Sequence, residues 1–185
     1  MNTKKLAANA VIAAAYATLT IALAPISYGA LQLRLSEALC ILPALIPGAS
    51  WGLFVGCAIA NLLSPIGPVD VILGSAATLM AALCSEQIAK SEFLKYKEND
   101  AKQGLSITKA ALICFMPVIW NAAIIGAMIA VASMPAGGFW KSFTIFALQV
   151  GGGEAAVMYI IGMPLLIFLP KSRTFKKAIS SLGTE

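Results

Sequence analysis

No charged residue occurs between Leu6 and Ser27, between Ala38 and Val69, or between Ala110 and Trp140. Uncharged apolar runs of this length suit a bilayer, whose hydrocarbon core a helix of about 20 residues crosses. Proline, glycine and charge divide the 185 residues into six apolar stretches at about 6–27, 37–47, 48–64, 70–90, 108–133 and 140–169. The first is too long, and its flanks too plain, for a cleaved signal peptide, and it counts as a span. PIGP at 65–68 and PAGG at 135–138 break the pattern, because proline forfeits a helical hydrogen bond. Hydrophobic residues make up 59% of the chain and charged residues 11%, against about 45–50% and about 25% in soluble domains. That imbalance excludes disorder, a nucleic-acid-binding domain and a water-soluble enzyme. The expectation is a single all-α transmembrane domain over 1–185, a six-helix bundle.

Basic residues orient the bundle. Of thirteen Lys and Arg, two lie near the N-terminus, five between Lys90 and Lys109, and four in the tail 171–177. Only Arg34 and Lys141 stand elsewhere. Six alternating spans place all three basic regions on one face, and the excess of Lys and Arg on cytoplasmic loops puts both termini in the cytoplasm. The second stretch is too short to cross upright, and is expected to tilt or to dip partway.

Histidine is absent, which removes the commonest proton relay and zinc ligand. Cys40, Cys57, Cys84 and Cys114 lack CxxC spacing and read as small packing residues. The informative groups are ionisable side chains at membrane depth. Glu86 and Lys141 lie close enough to span ends to reach water. Arg34 and Glu37, three residues apart, are spaced to pair on one helical face; a mutual ion pair at the outer surface and a role in binding both remain open. Asp70 follows Pro68 and precedes an apolar run, the position of a helix N-cap. Glu154 lies midway along the last stretch, directly after Gly151, Gly152 and Gly153. A carboxylate at that depth is costly unless it faces a cavity or a partner. The glycines allow close backbone approach or room for a flat ligand.

Asn61, Trp120, Asn121 and Gln149 add uncharged polar groups to the spans. Each alone suits interhelical bonding. Together with Arg34, Glu37, Asp70 and Glu154 they fall in the outer half or the middle of the bundle, which points to a polar pocket open to the outside. Gly48, Gly52, Gly56 and Ala60 recur at every fourth position and suit close helix packing. Ala10 and Ala14, beside Ala13 and Ala17, suit the same role or a smooth face for a partner protein.

Four segments, YGALQLRLSEAL (28–39), GASWGLFVGCAIANLLSPIGPVDVILGSAATL (48–79), VIWNAAIIG (118–126) and GGGEA (151–155), make the chain resemble the substrate-binding S-components of energy-coupling factor (ECF) transporters. Within that group it is similar to the queuosine-precursor transporter family, QueT, over essentially its whole length. The most specific element is Gln32, Arg34, Ser36 and Glu37. The resemblance implies a non-enzymatic subunit in a prokaryotic plasma membrane, without cofactor or metal. Such a subunit captures its substrate outside and docks on a transmembrane scaffold driven by two cytoplasmic ATPases. It also implies docking through the AxxxA pattern of Ala10 and Ala14. The glycine run before Glu154 is richer than the family pattern.

The implied substrate is a 7-deazaguanine: preQ1, preQ0 or queuine. Its base carries an N–H and an amino group side by side, next to a carbonyl. A carboxylate accepts both donors at once, which makes Glu154 the candidate for that edge. Asn121, Asn61 or Gln149 suits the carbonyl or ring nitrogens, Trp120 the ring face, and Glu37 or Asp70 the aminomethyl cation of preQ1. Arg34 is assigned to orienting Glu37 or to shaping the outer entrance, and Gln32 joins the substrate-binding set through the family pattern. Another vitamin or purine-like base, and a solitary ion-coupled carrier, are the competing expectations. An intramembrane enzyme has little support, with no histidine, no evident nucleophile–base pair and no metal-ligand cluster.

Overall fold

The computed structural model describes residues 3–28, 33–91, 106–133 and 138–181. The described residues begin with α1 (Thr3–Ala22) and a short α2 (Ala24–Ser27). A 3-10 segment, Leu35–Ile41, runs directly into α3 (Leu42–Leu45). Then come α4 (Ser50–Asn61), α5 (Pro68–Lys90) and α6 (Ile107–Ser133). The last long rod is α7 (Phe139–Val157), a π-helical turn (Met158–Gly162) and α8 (Met163–Phe168), followed by the tail helix α9 (Arg173–Ser181).

Four of these helical stretches are long and apolar enough to cross a membrane: Thr3–Ala22, Pro68–Lys90, Ile107–Ser133 and Phe139–Lys171. The second and third apolar stretches form the shorter helices Leu35–Leu45 and Ser50–Asn61. The short 3-10 segment is the most deeply buried. Ser36, Glu37, Ala38, Cys40 and Ile41 are all inaccessible, packed among α1, α5, α6 and the π turn. Large apolar side chains such as Val11, Leu62, Ile72, Trp140, Leu148 and Ile160 point outward, the arrangement expected where the surroundings are lipid.

Gly52 and Gly56 of the glycine ladder do internal packing, whereas Gly48 lies ahead of α4 at φ 87° and faces open space. A Cβ on Gly52 would lie 2.7 Å from the Asn9 carbonyl oxygen, and one on Gly56 would lie 2.7 Å from that of Ala13. Only glycine lets the backbones of α1 and α4 approach so closely. Ala13 and Ala17 face this contact, whereas Ala10 and Ala14 are exposed.

Proline effects are repaired by neighbours. Pro117 inside α6 leaves the carbonyl of Ile113, four residues earlier, without its helical donor. The Ser85 hydroxyl of α5 donates to that oxygen at 3.2 Å. The π turn sits just ahead of Pro164, where the regular hydrogen-bond ladder is already interrupted.

Hydrogen bonds also align the helix ends. The first turn of α4 leaves N–H groups without partners. The Gly52 N–H donates to Asn9 Oδ1 at 3.0 Å, and Gly48 N–H and Ser50 Oγ donate to Glu86 Oε2 at 3.4 and 3.2 Å. Lys90 Nζ donates to Glu86 Oε1 at 2.6 Å. Glu86 is therefore buried and anchors α4, instead of reaching for water; a carboxylate at a helix N-terminus is favoured by the helix dipole. Lys109 Nζ donates to the carbonyls of Ala89 and Ser91, at 2.7 and 3.0 Å, closing the C-terminus of α5. These contacts gather the starts of α1, α4 and α6 and the end of α5 at one end of the bundle, which is also the basic end.

Asp70 departs from expectation. Gly67, at φ 85°, is the residue that caps α5, and Pro68 opens the helix, since glycine alone adopts that conformation at little cost and proline suits a first helical turn. Asp70 lies within the first turn and its side chain makes no cap. It is free to turn into the bundle.

Candidate functional site

Arg34 occupies extended backbone, φ −87° and ψ 95°, just before the 3-10 segment. Its side chain consequently leaves that segment and crosses to the far end of α5, where Nη2 meets Asp70 Oδ2 at 3.1 Å. The guanidinium lies 5.7 Å from the ring centre of Tyr28, whose hydroxyl donates to the Ala60 carbonyl at 2.6 Å. The Arg34–Glu37 pair that the spacing left open is not formed, Arg34 pairing with Asp70 instead. Extended chain at Arg34 sends its side chain toward α5, while the 3-10 winding turns Glu37 toward α1.

Asn61, at the end of α4, donates through Nδ2 to the Asp70 carbonyl at 3.0 Å and to Cys57 Sγ at 3.4 Å. Gly74 makes room for both side chains: a Cβ there would lie 2.5 Å from Asn61 Nδ2 and 2.6 Å from Asp70 Oδ1. The group is buried and incompletely bonded. Arg34, Asn61 and Asp70 are 6%, 0% and 0% exposed, yet Arg34 Nε, Asn61 Oδ1 and Asp70 Oδ1 have no hydrogen-bond partner.

Glu37 is fully engaged. The Tyr16 hydroxyl and Thr78 Oγ1 both donate to its Oε1, the latter at 3.2 Å, and Cys40 Sγ donates to its Oε2 at 2.9 Å. Alongside, the Thr20 and Ser36 hydroxyls share a 2.6 Å hydrogen bond. Glu37 therefore ties the 3-10 segment to α1 and α5. Tyr16, Thr20, Tyr28, Gly74 and Thr78 were not among the predicted site residues. Polar side chains inside apolar runs were the available signal for Tyr16, Thr20 and Thr78.

Glu154, on α7, is 2% exposed and faces inward. Together with Arg34, Asn121, Ile125 and Val150 it surrounds a void of about 10 Å³, room for about one water. Its Oε1 also has no partner. Residues four apart share a helical face, so Asn121 with Ile125 on α6, and Val150 with Glu154 on α7, meet at this void. Trp120 and Gln149 are each one position off those faces. They are half-buried and do not line the void. The glycines before Glu154 divide their work: Gly151 packs near Ala122, Gly152 faces open space and Gly153 is buried. Gln32 lies outside the described residues.

Two other features complete the picture. Among the described residues no cluster of His, Cys, Asp or Glu is grouped to hold a metal ion. A larger groove of about 430 Å³ runs between α5 and α6, but its lining, which includes Val69, Leu73, Ile124 and Val131, is wholly apolar.

An all-helical, lipid-compatible bundle that keeps acidic, basic and amide groups incompletely bonded in its interior has the attributes of a multi-pass membrane transporter. The QueT transporter family model matches residues 6–171, and the chain belongs to that family. No curated protein and no solved structure matches the chain significantly.

Proposed function

We propose that the chain is the substrate-capturing S-component of an ECF importer and that it binds a 7-deazaguanine queuosine precursor. In this reading six spans, two of them short, keep both termini and the basic end in the cytoplasm of a prokaryotic cell. The end carrying Arg34 and Asp70 then opens outward. Exposed Ala10 and Ala14 offer α1 as the smooth face for the scaffold, and two partner ATPases supply the energy.

One observation carries the binding reading. Arg34 Nε, Asn61 Oδ1, Asp70 Oδ1 and Glu154 Oε1 are buried without partners, although the large majority of buried side-chain polar atoms in proteins are bonded. A planar base with a donor edge and an acceptor edge supplies the missing partners. Glu154 takes the adjacent N–H and amino donors, Asn121 serves the carbonyl, and Asn61, whose unpartnered atom is the acceptor Oδ1, takes a ring N–H. Glu37, whose oxygens are occupied, supports the wall without contacting the ligand. The present void is the size of one water, so a bicyclic base enters only as Arg34 swings away from it. Trp120 and Gln149 become contacts if α6 and α7 adjust during that opening, and Gln32 enters the proposal only through the family resemblance.

The test is a thermal-shift screen of the purified protein against preQ1, preQ0, queuine, guanine and common vitamins. A ligand stabilises the folded form in proportion to the logarithm of its concentration over Kd. A 7-deazaguanine should give the largest shift, and Glu154→Ala should weaken it by roughly tenfold to a hundredfold, the worth of a charge-assisted hydrogen bond. A shift by a vitamin alone would replace the ligand. Uptake by the chain without ATPase partners, abolished by an uncoupler, would replace the mechanism with a solitary ion-coupled carrier.

A further inference from the structure

The tail helix α9 takes no part in the candidate site, and its residues are sorted unlike those of the spans. Phe175, Ala178 and Ile179 stand at positions i, i+3 and i+4, which share one helical face. Arg173, Lys176 and Lys177 lie on the other face, with Thr174, Ser180 and Ser181 beside them, and the helix contains no acidic residue. None of its residues is buried, and only Phe175 and Ile179 are half-buried. The ion pairs among the described residues, Arg34–Asp70 and Lys90–Glu86, leave the three cations of α9 unmatched. A helix of nine residues is marginal in water on its own, because isolated helices shorter than about 12–15 residues barely form. Something outside the bundle has to cover the apolar face and answer the charge.

The position of α9 identifies that partner. The last long apolar stretch ends at Lys171, and only Ser172, in extended backbone at φ −69° and ψ 129°, separates it from α9. One extended residue reaches about 3.5 Å, so α9 begins at the edge of the apolar layer. Lys171 Nζ lies 5.1 Å from the ring centre of Phe168, an outward-facing side chain that is 64% exposed. An ammonium held over such a ring is the posture of a lysine at a membrane boundary. At the far end of α9, Ser181 borders a groove of about 350 Å³ together with Lys4, Ala7, Ala8 and Val11 of α1. The helix therefore turns back across the basic end of the bundle instead of projecting from it. We propose that α9 is an interfacial helix that binds anionic phospholipid headgroups through Arg173, Lys176 and Lys177. The acyl boundary covers Ala178 and what the bundle leaves open of Phe175 and Ile179, and the lipid phosphates answer the three cations. This binding is separate from the substrate site and holds whatever the chain transports.

The experiment places the purified full-length chain in nanodiscs of phosphatidylcholine, alone or mixed equally with phosphatidylglycerol, and follows amide hydrogen exchange across 173–181. Exchange there should be about tenfold slower or more in the anionic discs, since each Lys or Arg near an anionic surface favours binding by about fivefold. The difference between the lipids should vanish in salt of about 1 M, where the screening length falls to about 3 Å. It should vanish equally in a chain carrying Arg173→Gln, Lys176→Gln and Lys177→Gln together. Unchanged exchange in α5 and α6 would show that the bundle of that variant is folded, and the salt comparison needs no substitution at all. Equal exchange in the two lipids, or a difference that survives high salt or the triple substitution, would overturn the proposal. So would the same protection produced by inorganic phosphate added to the phosphatidylcholine discs.

Discussion

At the basic end of the bundle, buried polar groups close on one another. Asn9 and Glu86 bond the open N-terminus of α4, Lys90 neutralises Glu86, and Lys109 closes α5. Toward the opposite end, and down to the level of Glu154, side chains of the same kinds are buried at least as deeply, Lys90 at the basic end being exposed and Asn9 half-buried. There, however, Arg34, Asn61, Asp70 and Glu154 each retain an unpartnered atom. Glu86 and Lys109 are buried as well, so burial alone does not separate the two ends. The completeness of the bonding does: one end is closed by the protein's own groups, and the other keeps four buried atoms without a protein partner.

Substitutions at the two ends should respond differently. The largest effect is expected for Arg34→Ala, which strands Asp70 as a buried unpaired carboxylate and should cost about 3–5 kcal/mol, read as a fall in the unfolding temperature in detergent. Glu86→Ala should be next, losing about 1–3 kcal/mol because Ser50, Gly48 and Lys90 lose their common acceptor. Ligand affinity should be untouched in that variant, and a loss of binding would erase the distinction between the ends. Gly74→Ala should cost about 1–3 kcal/mol by overpacking, and should also weaken binding, because the added methyl displaces Asn61 and Asp70. The smallest stability change belongs to Glu154→Gln, within about 1 kcal/mol in either direction, since the oxygen it alters has no bond to lose. Its ligand affinity, by contrast, should drop roughly tenfold or more. A large destabilisation by Glu154→Gln would mean that Glu154 is structural.

Much of the architecture was legible in the order of charged and apolar residues. The proline and glycine motifs PIGP and PAGG, the short second stretch and the gathering of basic residues mark the helices. The deep placement of Arg34, Glu37, Asn61, Asp70 and Glu154 follows from their position inside apolar runs. What the sequence concealed was direction. Arg34 and Glu37 have the spacing of a helical pair, but the extended conformation at Arg34 separates them, and backbone state at one residue leaves no trace in spacing. Asp70 has the neighbours of a cap, yet Gly67 performs that task one turn earlier. Trp120 and Gln149 stand one residue from Asn121 and Val150. In helices that are apolar all round, no periodicity reveals which of two adjacent positions faces inward. The π turn at Met158–Gly162 was equally hidden, because a single proline at 164 is compatible with several local windings.

The account is tested most directly by solving the structure of the protein with 7-aminomethyl-7-deazaguanine bound. It predicts ligand nitrogens within hydrogen-bonding distance, about 3 Å, of Glu154 Oε1, with Arg34 turned away from the void. A ligand lodged instead in the apolar groove between α5 and α6, with the Arg34–Asp70 pair intact and Glu154 still unpartnered, would contradict it.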